Sequence, residues 1–314
     1  MLDLKDKKLL YELGLNARMT NKALAKKIAL SESSTLGRIN NLIRQEILLG
    51  TQTIIDNSKL GYEGYRIYFK FSSTTTQEEA KIFNWLKINK TVSVLAKCSG
   101  AIDGAIICWT KEKGEFEEFV NNFKGHFRSN LEDLDISVYC GTYHFSRDYL
   151  LDSKAKTREI IKIGNNGVAK YDELDEKILR SIFADARKSV LEISEELKQP
   201  PRTVAFRIKQ LEKKKVIAGY TINLNAEGIG YEYYKLNIVL SKNIINSDLL
   251  EFAIHHKNTI YLDKTIGKYD LELNVELKSK LELNNLINEI KDKFGGVKEM
   301  SWFQVERYLK INYL

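Results

Sequence analysis

Residues 198–219, KQPPRTVAFRIKQLEKKKVIAG, decide how this chain is organised. Pro200 and Pro201, the only two prolines of the sequence, stand side by side and open a helix. A proline fits there because the N–H it lacks would have no intrahelical partner in the first turn. Val204, Ile208 and Leu211 then recur at helical spacing, and Ile217 continues the apolar set beyond the helix. The other positions carry Arg202, Arg207, Lys209, Lys213, Lys214 and Lys215 against a single acid, Glu212. An apolar face beneath a basic face, preceded by a short helix, is the pattern of a helix that enters the major groove of duplex DNA.

The same pattern stands 169 residues earlier in a less basic version, SESSTLGRINNLIRQEILLG over residues 31–50. At that constant offset Asp6 falls on Asp175, Leu10 on Leu179 and Ala17-Arg18 on Ala186-Arg187. Arg38-Ile39 likewise falls on Arg207-Ile208, Leu42 on Leu211, Gly50 on Gly219 and Gly61-Tyr62-Glu63 on Gly230-Tyr231-Glu232. A period this long marks two duplicated domain-sized units, not a solenoid. Gly164-Asn165-Asn166-Gly167 supplies a turn signal between them.

Each half opens with three helical segments. Leu4, Leu9, Leu10 and Leu13 give the first of residues 3–15, matched by Leu174, Ile178, Leu179, Ile182 and Phe183 over 174–183. Thr20 caps a short helix over 20–28 and Ser189 its twin over 189–197. The third helix of the first half, 32–46, takes Leu36, Ile39, Leu42 and Ile43 as its apolar set. Three short helices with a tight turn before the last make a helix-turn-helix domain. The alternating stretches TQTIID and YTINLN that follow are strands, serving either as a wing or as a bridge onward.

The hydrophobic period then changes to two. Strands over 65–71, 92–98, 103–109 and 136–145 enclose helices over 77–88 and 113–127, and the order repeats from residue 233. That is β-α-β-β-α-β, a ferredoxin-like sandwich. The expected fold class is therefore α+β: two repeats, each a three-helix winged-type helix-turn-helix domain followed by a ferredoxin-like sandwich. The expected boundaries are 1–62 and 63–148, a linker over 149–170, then 171–231 and 232–314.

At 314 residues and 36.2 kDa the chain has room for such a set of cores. A net charge of +7 suits a polyanionic partner, and its placement says more than its total. No apolar run reaches the ~18 residues of a membrane span, and MLDLKDKK lacks a signal-peptide core, so the expectation is a cytoplasmic protein. Cys98, Cys108 and Cys140 lack C-x-x-C spacing, and His126, His144, His255 and His256 form no metal-ligand pattern, so neither metal nor cofactor is expected. A phosphate-binding Gly-x-x-x-x-Gly-Lys loop and a nucleophile elbow are both missing from the sequence.

These features resemble the Lrp/AsnC (feast/famine) transcriptional regulators, twice over. The resemblance rests on Leu4-x-Asp6, Ala17-Arg18, Leu30-Ser31, Arg38-Ile39, Leu42, Ile47, Gly50 and Leu60-Gly61-Tyr62. In the second half it rests on Leu174-Asp175, Ala186-Arg187, Arg207-Ile208, Leu211, Val216-Ile217-x-Gly219-Tyr220, Gly230-Tyr231 and Gly267-x-x-Asp270. Members are normally one such unit that dimerises through the ferredoxin-like domain, and many bind an amino acid near the Gly-x-x-Asp turn. The resemblance thus implies a tandem fusion in which an intramolecular pseudo-dimer replaces the homodimer, with further homo-oligomers open. It also implies double-stranded DNA as partner, an amino-acid effector and no enzymatic activity.

The expected DNA contacts are Ser31, Ser33, Ser34, Thr35, Arg38 and Arg44 in the first half and Arg202, Thr203, Arg207, Lys209, Lys213, Lys214 and Lys215 in the second. Arg38 and Arg207 also match a structural role, holding helices together. The expected effector residues are Gly100 and Asp103, with Gly267, Lys268, Tyr269 and Asp270 closer to the family pattern. Turn formation by Gly and Asp is the competing explanation there. Two other functions stay open: a co-regulator with one inactive DNA-binding half, and a tetrapyrrole enzyme. Sirohaem decarboxylases resemble the same domain arrangement and use a His-bearing strand; Tyr143-His144 is the only strand-placed histidine candidate here, while His255-His256 lies near a helix end.

Overall fold

The computed structural model describes residues 2–151, 158–164, 167–241 and 246–312. The chain does not fold as two successive halves: it sorts like parts together into two compact units. The first unit comprises residues 1–60, 143–231 and 254–260 and holds both three-helix domains; the second comprises 61–142, 232–253 and 261–314 and holds most of both ferredoxin-like sandwiches.

In the first unit, α1 (Leu4–Leu15), α2 (Asn21–Ile28) and α3 (Glu32–Arg44) are followed by β1 (Leu48–Ile55). Their counterparts are α6 (Glu173–Phe183), α7 (Val190–Leu197), α8 (Pro201–Lys213) and β7 (Ile217–Leu224). The caps explain the helix starts. Asp3 and Asp172 each accept the amide of the third helical residue, whose own Asp side chain reaches back to the cap amide. Ser189 forms the same reciprocal cap with Glu192 at α7, Thr20 and Ser31 accept the Ala23 and Ser34 amides at α2 and α3, and α8 starts on Pro201 in the first turn. The strands after the third helices pair with each other: β1 and β7 form an antiparallel two-stranded sheet with Thr53 opposite Tyr220. That is the bridge, and it lies between the two helical domains.

The repeated Ala-Arg motif explains the rest of that joint. Arg18 Nη1 donates to the Ala186 carbonyl at 2.9 Å, and Arg187 Nη1 donates to the Ala17 carbonyl at 2.7 Å. Each copy of the motif thus binds the other. The stretch expected as linker, 149–170, carries the end of a 3-10 turn (Asp148–Leu150) and the strand β6 (Ile160–Ile163); Asn165 and Asn166 lie outside the described residues.

In the second unit, β2 (Glu63–Phe71), α4 (Thr76–Ile88), β3 (Val92–Gly100), β4 (Gly104–Thr110), α5 (Lys113–Phe127) and β5 (Leu131–Phe145) form the first sandwich. The second comprises β8 (Glu232–Leu240), α9 (Asn246–His255), β9 (Thr259–Ile266), β10 (Leu271–Leu277), α10 (Lys280–Lys293) and β11 (Val297–Ile311). The strands run in the order β2-β4-β3-β11-β8-β10-β9-β5, and β5 also pairs with β2, so the eight close into a ring. Closure leaves none of those eight with an unpaired edge. Strand alternation sorts the faces: Tyr65, Ile67 and Phe69 of β2 pack with Phe83, Leu86, Phe119 and Phe123 of the helices. Arg66 and Tyr68 take the opposite face, inside the ring.

Candidate nucleic-acid interface

The inward residues of the third helices set what their outward faces can do. In α8, Val204, Ile208 and Leu211 are buried, at the spacing expected. In α3 the buried set is Thr35, Ile39 and Leu42, the positions matched to those three. Leu36 and Ile43, expected in the core, are instead 45% and 49% exposed, and Thr35, expected on DNA, is instead fully buried with its Oγ1 on the Ser31 carbonyl at 2.9 Å. The cause is helical register: a threonine occupies the inward position because its hydroxyl is satisfied within the helix. Leu4, also expected inside, is 68% exposed.

The outward face of α8 carries Arg202, Phe206, Lys209 and Lys213, spaced four, three and four residues apart along one side of the helix. All four are exposed, and Arg202, Lys209 and Lys213 take part in no ion pair among the described residues. Phe206, at 58% exposure, was not among the expected contacts. Its position two residues beyond the buried Val204, about 200° around the helix, is the signal that could have found it. Thr203 is half-buried and Lys215 exposed, while Lys214 Nζ donates to the Lys170 carbonyl at 2.6 Å.

The matching positions of α3 are different in kind: Ser33, Gly37, Asn40 and Arg44, so that Gly37 stands where α8 has Phe206, with the exposed Leu36 and Ile43 beside them. Ser31 Oγ donates to Ser34 Oγ at 2.9 Å and caps the helix, so the serines at its start are partly engaged with one another. Formal charge over the helix is +1 in α3, from Arg38 and Arg44 against Glu32, and +3 in α8, from Arg202, Arg207, Lys209 and Lys213 against Glu212.

Arg38 and Arg207 belong to the scaffold. Arg38 Nη1 lies 2.7 Å from both Asp3 Oδ2 and Asp6 Oδ1, and Arg207 Nη1 lies 2.7 Å from Asp172 Oδ2 and 3.3 Å from Asp175 Oδ1. Each arginine ties its third helix to the capped start of the first. Capping amides, with help from these arginines, hold the Asp3 and Asp172 carboxyls below their usual range.

In the second unit the two Gly-x-x-Asp turns are built as hairpin ends. Gly100 has φ +111, a conformation glycine adopts without strain. Gly267 is small for another reason, since a Cβ there would stand 2.6 Å from that of Ser137. Asp103 accepts the Phe71 amide at 2.7 Å and Asp270 accepts the Leu240 amide at 2.8 Å, each bracing the end of a neighbouring strand. Of the six residues expected to hold an effector, Lys268 and Tyr269 line a pocket of about 130 Å³; Gly100, Asp103, Gly267 and Asp270 do not. Ala101, Ile102, Tyr68 and Ser301 also line it and were not anticipated. Lys268 pairs with Asp135 at 3.3 Å and covers the Tyr269 ring. The Ser301 hydroxyl is buried with no hydrogen-bond partner among the described residues, and so is the side-chain amide of Asn237, its neighbour across the β11–β8 pairing. Among the described residues no group of acids, histidines and cysteines is placed to hold a metal ion, and no helix is long and apolar enough to cross a membrane.

An AsnC-type helix-turn-helix domain model matches residues 2–43, and a winged helix-turn-helix DNA-binding model matches 171–218. An uncharacterized HTH-type transcriptional regulator of Pyrococcus abyssi is 34% identical over 119 residues, which are 38% of this chain and 70% of that protein. Another from Pyrococcus furiosus is 48% identical over 56 residues, 18% of this chain and 35% of that protein. Among solved structures, the siroheme decarboxylase NirDL superposes with a TM-score of 0.66 at 14% identity, over 99% of this chain and 93% of that one, a likeness of fold alone. With its helix-turn-helix domains, its α+β architecture and these relatives, the chain belongs to the AsnC/Lrp-type family of helix-turn-helix transcriptional regulators.

Proposed function

We propose that the chain binds duplex DNA sequence-specifically with two unequal reading heads, α8 providing most of the electrostatic grip and α3 a weaker, less polar contact. The observation that carries this is the outward face of α8, where Arg202, Lys209 and Lys213 surround Phe206. Unpaired cations on that face can meet phosphates, which position the protein, while the centre of the face meets base edges, which specify sequence. The exposed Leu36 and Ile43 on α3 support a lesser DNA role for the first half.

The pocket beside Lys268 and Tyr269 suits a small zwitterion such as an amino acid. It offers a cation in Lys268, carboxylates in Asp133, Asp135 and Glu299, and the Ser301 hydroxyl, which has no hydrogen-bond partner among the described residues. An amino acid bound there would bias the barrel end formed by both Gly-x-x-Asp turns.

The deciding measurement is the salt dependence of binding to a duplex selected by the protein from a random pool. Neutralising Arg202, Lys209 and Lys213 together should flatten the slope of log K against log salt by about 2.7, roughly 0.9 for each lost phosphate contact. Neutralising Arg44 in the first half should change it by about one unit or less. A slope unchanged by the triple substitution overturns the assignment to α8. Incubation with an iron porphyrin, read at the Soret band, separates this function from tetrapyrrole chemistry on the same fold.

A further inference from the structure

Inside the eight-stranded ring lies a group of buried charges whose distribution between the two halves is uneven. Arg66 of β2 and Lys235 of β8 are both 5% exposed, and they occupy the same place in the repeat, five residues after Gly61 and Gly230. Facing them are Asp263 of β9 and Glu272 of β10, 5% and 0% exposed. Arg66 Nη1 lies 2.9 Å from Asp263 Oδ2 and also bonds Glu272; Lys235 Nζ lies 2.9 Å from Asp263 Oδ2 and 2.6 Å from Glu272 Oε2. Neutral donors complete the set: Tyr68 Oη to Glu272 at 2.7 Å, Asn274 Nδ2 to Asp263 at 3.0 Å, and the Thr142 hydroxyl to Asp263.

The cations are shared equally by the halves, and the acids are not. Asp263 stands four residues before Gly267 and Glu272 five residues after it. The residues at the same steps from Gly100 are Ala96 and Ala105, which pair with each other across β3 and β4. Strand register confirms the equivalence: Ala105 lies opposite Tyr68 as Glu272 lies opposite Asn237, and Tyr68 and Asn237 are a matched pair of the repeat. Glu276, beyond Asn274 on the same face, is also buried, where Trp109 stands in the first half.

We infer that these charges form a lock that lets each ferredoxin-like half pair only with the other. A first half joined to a second half sets two cations against Asp263 and Glu272. Two first halves would bury two arginines without Asp263 or Glu272 to face them, and two second halves would bury four such carboxylates against two lysines. An unmatched buried charge costs far more than a matched pair returns, so both homotypic barrels are disfavoured while the mixed one is satisfied. The partner each half fits is therefore a barrel face of complementary charge, supplied here by the same chain. A second copy of this chain is accepted only by exchange of unlike halves. The Arg66 and Lys235 charges more than offset the burial that would otherwise raise the Asp263 and Glu272 carboxyls, so both acids stay ionised against the cations.

The test uses the full chain with a protease site inserted between Leu151 and Arg158, cut after folding, then unfolded, refolded and weighed intact by native mass spectrometry. The cut removes the tether that would otherwise enforce pairing within one chain. Wild type should return only the first-with-second species. The variant R66M/K235M/D263A/E272A should also give first-with-first and second-with-second species. Homotypic pairs in wild type, or strict heterotypic pairing in the quadruple variant, would overturn the lock. On the uncut chain, D263A/E272A should lower Tm by about 10 °C, and the quadruple variant should recover most of that loss. Equal Tm in wild type and D263A/E272A would overturn it as well, and this arm holds even where the cut pieces fail to refold.

Discussion

Phe206 shows how much one side chain can add to a surface already read as basic. It sits at 58% exposure on α8 between Arg202 and Lys209, on the side opposite Val204, Ile208 and Leu211. An exposed aromatic ring on a groove-facing helix has a natural target in the C5-methyl of thymine, the one apolar feature of the major-groove code. Replacing thymidine by deoxyuridine in the selected duplex removes that methyl without changing a hydrogen bond. Wild type should lose about 1 kcal/mol of binding free energy, and F206A should bind both duplexes alike. An equal loss in the two proteins would place the methyl contact elsewhere. Thr35 teaches the reverse lesson: a hydroxyl on a candidate recognition helix faces the core, satisfied by its own helix.

At the scale of the element, Arg38 and Arg207 are clamps between the third helix and the capped start of the first. Both side chains are about a third exposed, so each clamp contributes modestly, on the order of 1 kcal/mol. R207A should therefore lower Tm by a few degrees while leaving the salt slope of DNA binding within one unit of wild type. R202A should do the opposite, lowering the slope and sparing Tm. Thermal unfolding and salt titration on the same two variants separate the roles, and a slope loss in R207A equal to that in R202A would return Arg207 to the DNA surface. The paired third helices also show where pattern recognition succeeds. Val204, Ile208 and Leu211 were legible because no other apolar residue sat within α8 except Phe206 and Ala205. In α3 the extra Leu36 and Ile43 pulled the apparent apolar stripe one position off its true axis.

At the scale of the molecule, the two units should respond to acid in different ranges. Burial and the nearby Arg158 push the His256 imidazole of the first unit down to about 4 from its usual 6.5. The unfolded chain therefore takes up a proton that the folded state refuses, and the first unit loses stability as pH falls from 6.5 towards 4. Asp263 and Glu272 in the second unit are held below their usual carboxylate values. Their contribution is fully present above about pH 5 and is lost only as pH falls through and below the ordinary carboxylate range near 4. Hydrogen exchange followed at stepped pH should show protection lost first in the first unit, and H256Q should remove most of that early loss. Simultaneous loss in both units, unaffected by H256Q, would count against this assignment.

The sequence by itself determined the elements, the repeat and the family resemblance. Periods of 3.6 and 2, caps and paired glycines are local properties, and a constant offset between matched residues survives without any knowledge of contacts. It also brought Lys268 and Tyr269 within view of a pocket, and the basic face of α8 within view of DNA. What only the tertiary structure decided is which pieces meet. Two like domains sorted into one unit, β1 paired with β7 and the Ala-Arg motifs bound each other because partners 170 residues apart leave no mark in a local pattern. The charge group of Arg66, Lys235, Asp263 and Glu272 was hidden for the same reason. Each of those residues alternates into a strand as an ordinary polar position, and its burial follows only from closing eight strands into a ring.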